Sequence, residues 1–509
     1  MFDFKSFIGT LLSNAPSRSN TAQSATQLLR DLPGTDYFDA LTEITKAIVR
    51  INADTQIPLK ERIRTLLYVD ARAYPLYCML CREYLTDECR NKIQLPTILA
   101  YLHEIANAYQ ICLRLYQAAP TAHLEDRIQQ AALHGLYHQS RLVFWNAQRY
   151  VKTDGMVWQQ AYRFYAFLEE SGIARLPLRL YQGDTESVSA EQLLLNASML
   201  ALAYPDNMQS VEIQAVDRLL RLLVTSLTLS RQPELNEPVY ALDLDTPDAP
   251  QLWHHGTASK AGRYWSAQPL SVALADIMFS LDQGLPPVLA DIGLGLTAEA
   301  WRQLADKLGV RWSHDGGVSL RKAVRELRSE DVAVTIGFAP SALLVKLQDA
   351  DYRNHPERGL WKLTDSSSSG MGLLYLGRAL ERLRIGFLVV VLQNDKPAVL
   401  AVVRRLQRQP EGGTRVGIET LGHSPLGVTL CSIDRTTDPV GALYITQPNS
   451  HTGQHWLLLP ESHAVEGRTL IMLAQDETYQ IRLHSPSRRF GDCVHCEFDT
   501  LSRLDPATA

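Results

Sequence analysis

The hydrophobic pattern of this chain changes period once, and that change constrains its fold more than any other feature. Up to about residue 230 apolar positions recur every three or four residues. Ile98, Leu102, Ile105, Tyr109, Cys112 and Tyr116 follow in steps of 4, 3, 4, 3 and 4, which lays one stripe along one helix face. Thr97 stands before it as an expected N-cap. Helical patterns also cover 124–151, 156–171, 190–203 and 210–229, and Gly172 is a natural stop. After about Ser329 the pattern turns to short alternating or β-branched runs. These are 332–337, 343–347, 359–364, 370–376, 386–392, 398–406 and 414–421, then 427–432, 440–445, 455–459, 469–473, 479–483 and 493–498. Gly, Pro, Asn and Asp separate them, as expected for antiparallel barrels or sandwiches.

Between these two patterns the chain is punctuated. Residues 231–250 hold Pro233, Pro238, Pro247 and Pro250 among five acidic residues and cannot continue a helix. Helical patterns return over 271–283 and 297–309, with Thr297 and Glu299 as a good helix start. The 509 residues can bury several separate cores. The expected class is α+β and multidomain. Residues 1–30 are a mobile lead-in, 31–230 an all-α domain, and 231–320 a Pro-rich acidic linker with a mixed segment. Residues 321–425 are a six-stranded antiparallel barrel and 426–505 a second small β domain.

Charge and cysteine content narrow the function. Fifty basic against 55 acidic residues leave a net charge of −5. Whole-chain electrostatics therefore favour neither a nucleic-acid polymer nor an anionic membrane, and an anionic ligand must be held by a local group of arginines. Seven cysteines are too few, and odd in number, for a disulfide scaffold. The start, Met1-Phe-Asp-Phe-Lys5, lacks the basic region of a signal peptide. The apolar runs 193–204 and 387–392 fall short of the roughly 20 residues that span a bilayer. A cytoplasmic protein without membrane contact is expected.

No catalytic group, metal ligand or cofactor site is expected. Cys78-Met-Leu-Cys81 and Cys493-Val-His-Cys496 have zinc-knuckle spacing, but the first sits in an apolar helical pattern and the second in an alternating strand, and neither has clustered partner ligands. Asp291-Ile-Gly-Leu-Gly-Leu-Thr297 lacks the third glycine of a dinucleotide turn and reads as a capped joint into a helix. The 14 histidines are scattered, with His254-His255 the adjacent pair. No nucleophile elbow, phosphate-binding loop, His-Glu-x-x-His or kinase signature is present.

One pair of motifs carries ligand chemistry. Arg321-Lys-Ala-Val-Arg325 stands just before the first expected strand of the β region, and Asp365-Ser-Ser-Ser-Ser-Gly370 forms a turn after Leu360-Trp-Lys-Leu363. Two guanidiniums can fork onto phosphate oxygens or onto the O6/N7 edge of guanine. A carboxylate accepts from guanine N1–H and N2–H₂, a serine hydroxyl serves either group, and a glycine admits a flat base close to the backbone.

On these residues the stretch from Arg321 to Leu421 resembles a PilZ domain, the bacterial receptor module for cyclic di-GMP. The runs starting at Val332, Met371, Arg384, Val402 and Arg415 resemble its strands, and the long helical N-terminal part is similar to that of large PilZ-containing proteins. The resemblance implies that Arg321 and Arg325 clasp the dinucleotide, with Asp365, Ser367 and Gly370 as the opposing surface. The separation of 40 positions from Arg325 to Asp365 exceeds the family's usual spacing, and Arg353 with Arg358 is the alternative arginine pair. The implied function is a non-enzymatic cyclic di-GMP receptor that passes a signal to a protein partner through its helical domain. The alternative is an interaction scaffold whose barrel has lost the nucleotide.

Overall fold

The computed structural model describes residues 36–86, 93–233, 239–253, 256, 258–312, 325–346, 355–357, 359–377, 383–394, 396–433, 438–446, 455–475 and 477–504. The expected lead-in over 1–30, His254-His255, Arg321, Arg353 and Arg358 lie outside them. The chain divides into two compact units, residues 1–205 with 210–318 and residues 206–209 with 319–509.

Among the described residues the first unit begins with helices α1 (Tyr37–Ala53), α2 (Leu59–Thr86), α3 (Gln94–Ala118), α4 (Glu125–Gln148), α5 (Gly155–Glu170), α6 (Ala190–Leu202) and α7 (Ser210–Leu223). The stripe read from the sequence is the buried face of α3: Ile98, Leu102, Ile105, Tyr109 and Cys112 are all fully buried. Thr97 does not cap this helix. It is buried inside α3, which starts at Gln94, because Pro96 is tolerated in a first turn, where its missing N–H has no partner to lose. Helix α4 is buried on almost every side from Ala131 to Ala147. Its Arg141 pairs with buried Asp217 of α7 at 2.9 Å.

Three strands follow, β1 (Val239–Asp243), β2 (Gln251–Leu252) and β3 (Gly262–Ser266), in the order β2-β1-β3. They pack on the helices. Tyr162 Oη donates to the Asp248 carbonyl at 2.7 Å, Trp265 Nε1 reaches Met199 Sδ at 3.2 Å, and Arg263 forks onto Glu169. The unit closes with α8 (Gln268–Leu281), α9 (Pro287–Asp291) and α10 (Ala298–Arg311). Gly293 and Gly295 take positive φ in the joint before α10, and Thr297 caps that helix by accepting from Ala300 N.

The second unit holds two closed, six-stranded antiparallel barrels. The first is built from β4 (Glu326–Ile336), β5 (Trp361–Ser367), β6 (Gly370–Tyr375), β7 (Leu388–Leu392), β8 (Val399–Arg408) and β9 (Thr414–His423), in the cyclic order β4-β5-β6-β9-β8-β7. The helix α11 (Phe338–Lys346) follows β4. The second barrel is built from β10 (Leu426–Ser432), β11 (Val440–Thr446), β12 (His455–Leu459), β13 (Thr469–Ala474), β14 (Glu477–Arg489) and β15 (Val494–Leu504), in the order β10-β11-β12-β15-β14-β13. Shifting every strand of the first order by six positions yields the second. The expected small β domain is thus a closed barrel of the same topology as its neighbour.

The run 343–347, expected as a strand, lies in α11 over its described residues. Gly337, at φ +92°, ends β4, and Phe338, Ser341 and Ala342 are then buried at helical spacing. A short apolar run fits either period, and its neighbours decide. Here they are two barrel walls. Phe338 and Ala342 share one cluster with Leu388, Val390 and Leu400 of the first barrel and with Leu443, Ile445, Leu458 and Cys493 of the second.

Candidate functional site

The first barrel brings its motif residues together through register. Strand β4 starts one residue after Arg325 and runs antiparallel to β5, with Leu327 opposite Asp365 and Glu326 opposite Ser366. Arg325 therefore reaches back across the strand pair, and its Nη1 donates to Asp365 Oδ1 at 2.5 Å. Both side chains remain partly exposed, at 39% and 21%. An ion pair at that exposure contributes about 0–1 kcal/mol to folding, so these two groups are exchangeable for a ligand.

Asp365 is aimed by a β-bulge. Leu363 faces Leu373 while Asp365 faces Gly372, so Thr364 is the extra residue. Such a residue bends the strand and re-aims the next side chain. Thr364 Oγ1 holds the bulge by donating to the Gly372 carbonyl at 3.0 Å. The Asp365 carboxylate then lies over Gly372, where a Cβ would stand 2.3 Å from Oδ2. Gly372 is a site residue that sequence reasoning passed over. Its signal was a glycine inside an apolar strand.

Ser367 and Gly370 face each other across the two-residue hairpin that joins β5 to β6. Ser367 Oγ donates to the Gly370 carbonyl at 3.2 Å. Gly370 packs on β9 so closely that a Cβ would sit 2.2 Å from the Ile418 carbonyl oxygen. Its partner across β9 is Glu419. That carboxylate is held by Arg404 of β8 at 2.5 Å and by Arg488 of β14, in the other barrel, at 3.1 Å. Burial pushes the Glu419 carboxyl up, but the two guanidiniums outweigh it and hold it below its usual value. Arg328 adds a further cation beside the hairpin, with Nε 3.4 Å from Ser366 Oγ.

The structure thus gathers four of the five expected site residues, Arg325, Asp365, Ser367 and Gly370, at one corner of the first barrel, and Arg321 lies outside the described residues. The corner presents guanidinium, carboxylate and hydroxyl side by side, with Gly370 buried in the hairpin against β9.

The cysteine pairs resolve differently. Cys496 is buried in the core of the second barrel and Cys493 in the cluster that α11 shares with both barrels, whereas Cys78 is exposed on α2 and Cys81 half-buried.

A second polar cluster lies in the helical unit, and sequence reading took its histidines as scattered. His134 and His138 are one turn apart on α4 and both face Asp70 of α2. His134 Nδ1 is 2.9 Å from Oδ2, and His138 Nε2 is 3.0 Å from Oδ2 and 3.1 Å from Oδ1. Tyr101 Oη of α3 donates to Oδ1 at 2.8 Å and Tyr109 Oη to Oδ2 at 2.7 Å. Tyr181, from the loop between α5 and α6, adds a contact to Oδ1 at 3.2 Å. Burial alone would raise the Asp70 carboxyl, but the facing imidazoles, by charge and hydrogen bond, hold it well below its usual value.

Residues 23–234 match the family model described as cyclic-di-GMP receptor FimW, N-terminal domain. The match falls on the helical part and ends before the barrels. No curated protein and no solved structure matches the chain.

Proposed function

We propose that this chain, whose residues 23–234 match the model of the cyclic-di-GMP receptor FimW N-terminal domain, binds cyclic di-GMP at the corner of its first, PilZ-like barrel. Two separate parts of the molecule support the reading. The family match lies in the helices, and the guanine- and phosphate-directed chemistry lies in the barrel. The observation that carries the placement is the Arg325–Asp365 pair across β4 and β5, beside the Ser367–Gly370 hairpin.

In this reading Arg325, with Arg321 from the lead-in, turns from Asp365 to the ligand's phosphates and guanine edge. Freed of its arginine, Asp365 accepts from guanine N1–H and N2–H₂. Ser367 serves a phosphate oxygen, and Gly370 lets the hairpin lie close on β9 beneath the ligand. No bond in the ligand is made or broken, so the protein acts as a receptor and not as an enzyme. The proposed domains are 31–230, 231–320, 321–425 and 426–505, and the helical domain hands the signal to a protein partner. The cytoplasm is the proposed compartment. No described helix is long and apolar enough to cross a membrane.

Calorimetry of the full chain with cyclic di-GMP and with GMP tests this. Saturable binding of the cyclic dinucleotide, with GMP much weaker, is the expected result, because two guanines and two phosphates engage convergent groups at once. Absence of heat and of competition at high micromolar ligand would remove the receptor reading and leave the scaffold alternative.

A further inference from the structure

We infer that the Asp70, His134 and His138 cluster in the helical unit is a structural metal site for a divalent transition ion, zinc being the best fit. Among the described residues these three place one ligand atom each within 4.8 Å of one another, and all three are buried.

The argument starts from a lone-pair count. A carboxylate offers about four acceptor directions. Five groups crowd the two oxygens of Asp70: Tyr101, Tyr109, Tyr181, His134 and His138. The surplus shows in the geometry. The tyrosines of α3 make short, single contacts at 2.8 and 2.7 Å. His138 Nε2 is split between both oxygens, and Tyr181 is left at 3.2 Å from Asp70 and 3.4 Å from that same Nε2. If both imidazoles must donate, the oxygens have more donors than directions.

A cation among the ring nitrogens and the carboxylate removes the conflict. His134 Nδ1 and His138 Nε2 then present lone pairs to it instead of protons. The far nitrogens, His134 Nε2 and His138 Nδ1, are buried with no hydrogen-bond partner. Nothing on that side dictates the tautomer, so the ring protons can reside there. Tyr101 and Tyr109 stay as donors to the carboxylate and orient it, the outer-shell arrangement that ligating carboxylates require. Tyr181 Oη supplies the fourth position, directly or through a water. Two nitrogens and two oxygens are a donor set zinc accepts in a tetrahedron, and bonds of about 2.0–2.1 Å put neighbouring ligand atoms roughly 3.3 Å apart. The observed separations of 2.9–3.1 Å need only a slight opening. Tyr181 sits on a loop and stacks on Tyr74 at 3.7 Å between ring centroids. A bound ion would tie α2, α4 and the loop together.

The test uses the full chain purified without chelator. Elemental analysis is expected to find about one zinc per chain, held because its ligands converge only in the folded state. Cobalt substituted for zinc should show the visible bands of a tetrahedral nitrogen and oxygen site, without sulfur-to-metal charge transfer. The double variant His134→Gln/His138→Gln should lose the ion, and Tyr109→Phe should weaken zinc affinity by about 10–100-fold. Circular dichroism checks that the variants fold, and if the double variant does not, the cobalt spectrum of the unaltered chain decides. No zinc or cobalt uptake by the unaltered chain overturns the site. So does a thiolate signature, which would place the metal on the cysteines, or full uptake by a folded double variant.

Discussion

The two barrels share one strand order and differ in what they place at the same corner. In the first, Arg325 stands one residue before β4, and Asp365, Ser367 and Gly370 shape the hairpin to β6. In the second, Pro425 stands one residue before β10. Between β11 and β12 the sequence Ser450-His-Thr-Gly453 keeps the Ser-x-x-Gly spacing, but Pro448 occupies the place of the aspartate. In sequence, neither the arginine nor the aspartate of the first barrel has a counterpart at these positions of the second. A barrel of this kind is held by its ladders and its alternating core, which do not depend on corner residues. Topology can persist after ligand chemistry has gone, and function must be read from the site.

The largest effect expected from this comparison is on ligand binding. Arg325→Ala should weaken cyclic di-GMP binding by about 2–4 kcal/mol, the scale for truncating one partner of a charge-assisted contact. Its thermal midpoint should barely move, since the pair it removes is partly exposed. Calorimetry and a melting curve on one preparation separate the two. Retention of full affinity would put the clasp elsewhere, with Arg353 and Arg358 next to be tested.

Next comes a steric contrast. Gly370→Ala forces a Cβ to within 2.2 Å of the Ile418 carbonyl oxygen, whereas at Gly441 in β11 of the second barrel the nearest neighbour of a Cβ is Ala342 Cβ at 4.0 Å. The first substitution should cost about 1–3 kcal/mol of stability by overpacking. The second should stay within about 0.5 kcal/mol in urea unfolding. Equal costs would mean that Gly370 is no more tightly packed than Gly441.

A pH dependence sharpens the difference further. Burial, helped by the charge of Arg488, pushes His495 of the second barrel down to about 4. Between its ordinary value near 6.5 and about 4, the unfolded chain takes up a proton that the folded barrel refuses. Its contribution is therefore full above that window and is lost as pH falls through it, with a slope below about 1.4 kcal/mol per pH unit. His495→Gln should flatten that part of the profile of unfolding midpoint against pH. An unchanged profile would show that His495 titrates normally.

The smallest effect concerns the link between barrels. Arg488→Ala removes one of two guanidiniums on Glu419. Because all three side chains are more than a third exposed, a loss of at most about 1 kcal/mol is expected in a melting curve. A larger drop would mean that the barrels depend on this bridge for their mutual packing.

Much of the architecture is written locally. The helical stripe through Ile98 and Tyr109, the proline-rich break after residue 230 and the strand alternation after Ser329 each follow from local backbone geometry. The motif order, arginines and then Asp-x-Ser-x-x-Gly, is likewise visible in a one-dimensional string. What needed the folded chain is everything that depends on neighbours distant in sequence. The run at 343–347 has no intrinsic preference strong enough to choose a period, and two barrel walls chose helix for its described part. The bulge at Thr364 depends on the register of three strands, so the need for glycine at 372 could not be seen in advance. His134 and His138 showed their one-turn spacing in the sequence, but Asp70 lies 64 positions before the first of them and Tyr181 lies 111 after Asp70. Short-range periodicity sets which elements form, because backbone geometry is local. Convergence of polar groups is set by packing, because burying a carboxylate is tolerable only where several distant donors meet it.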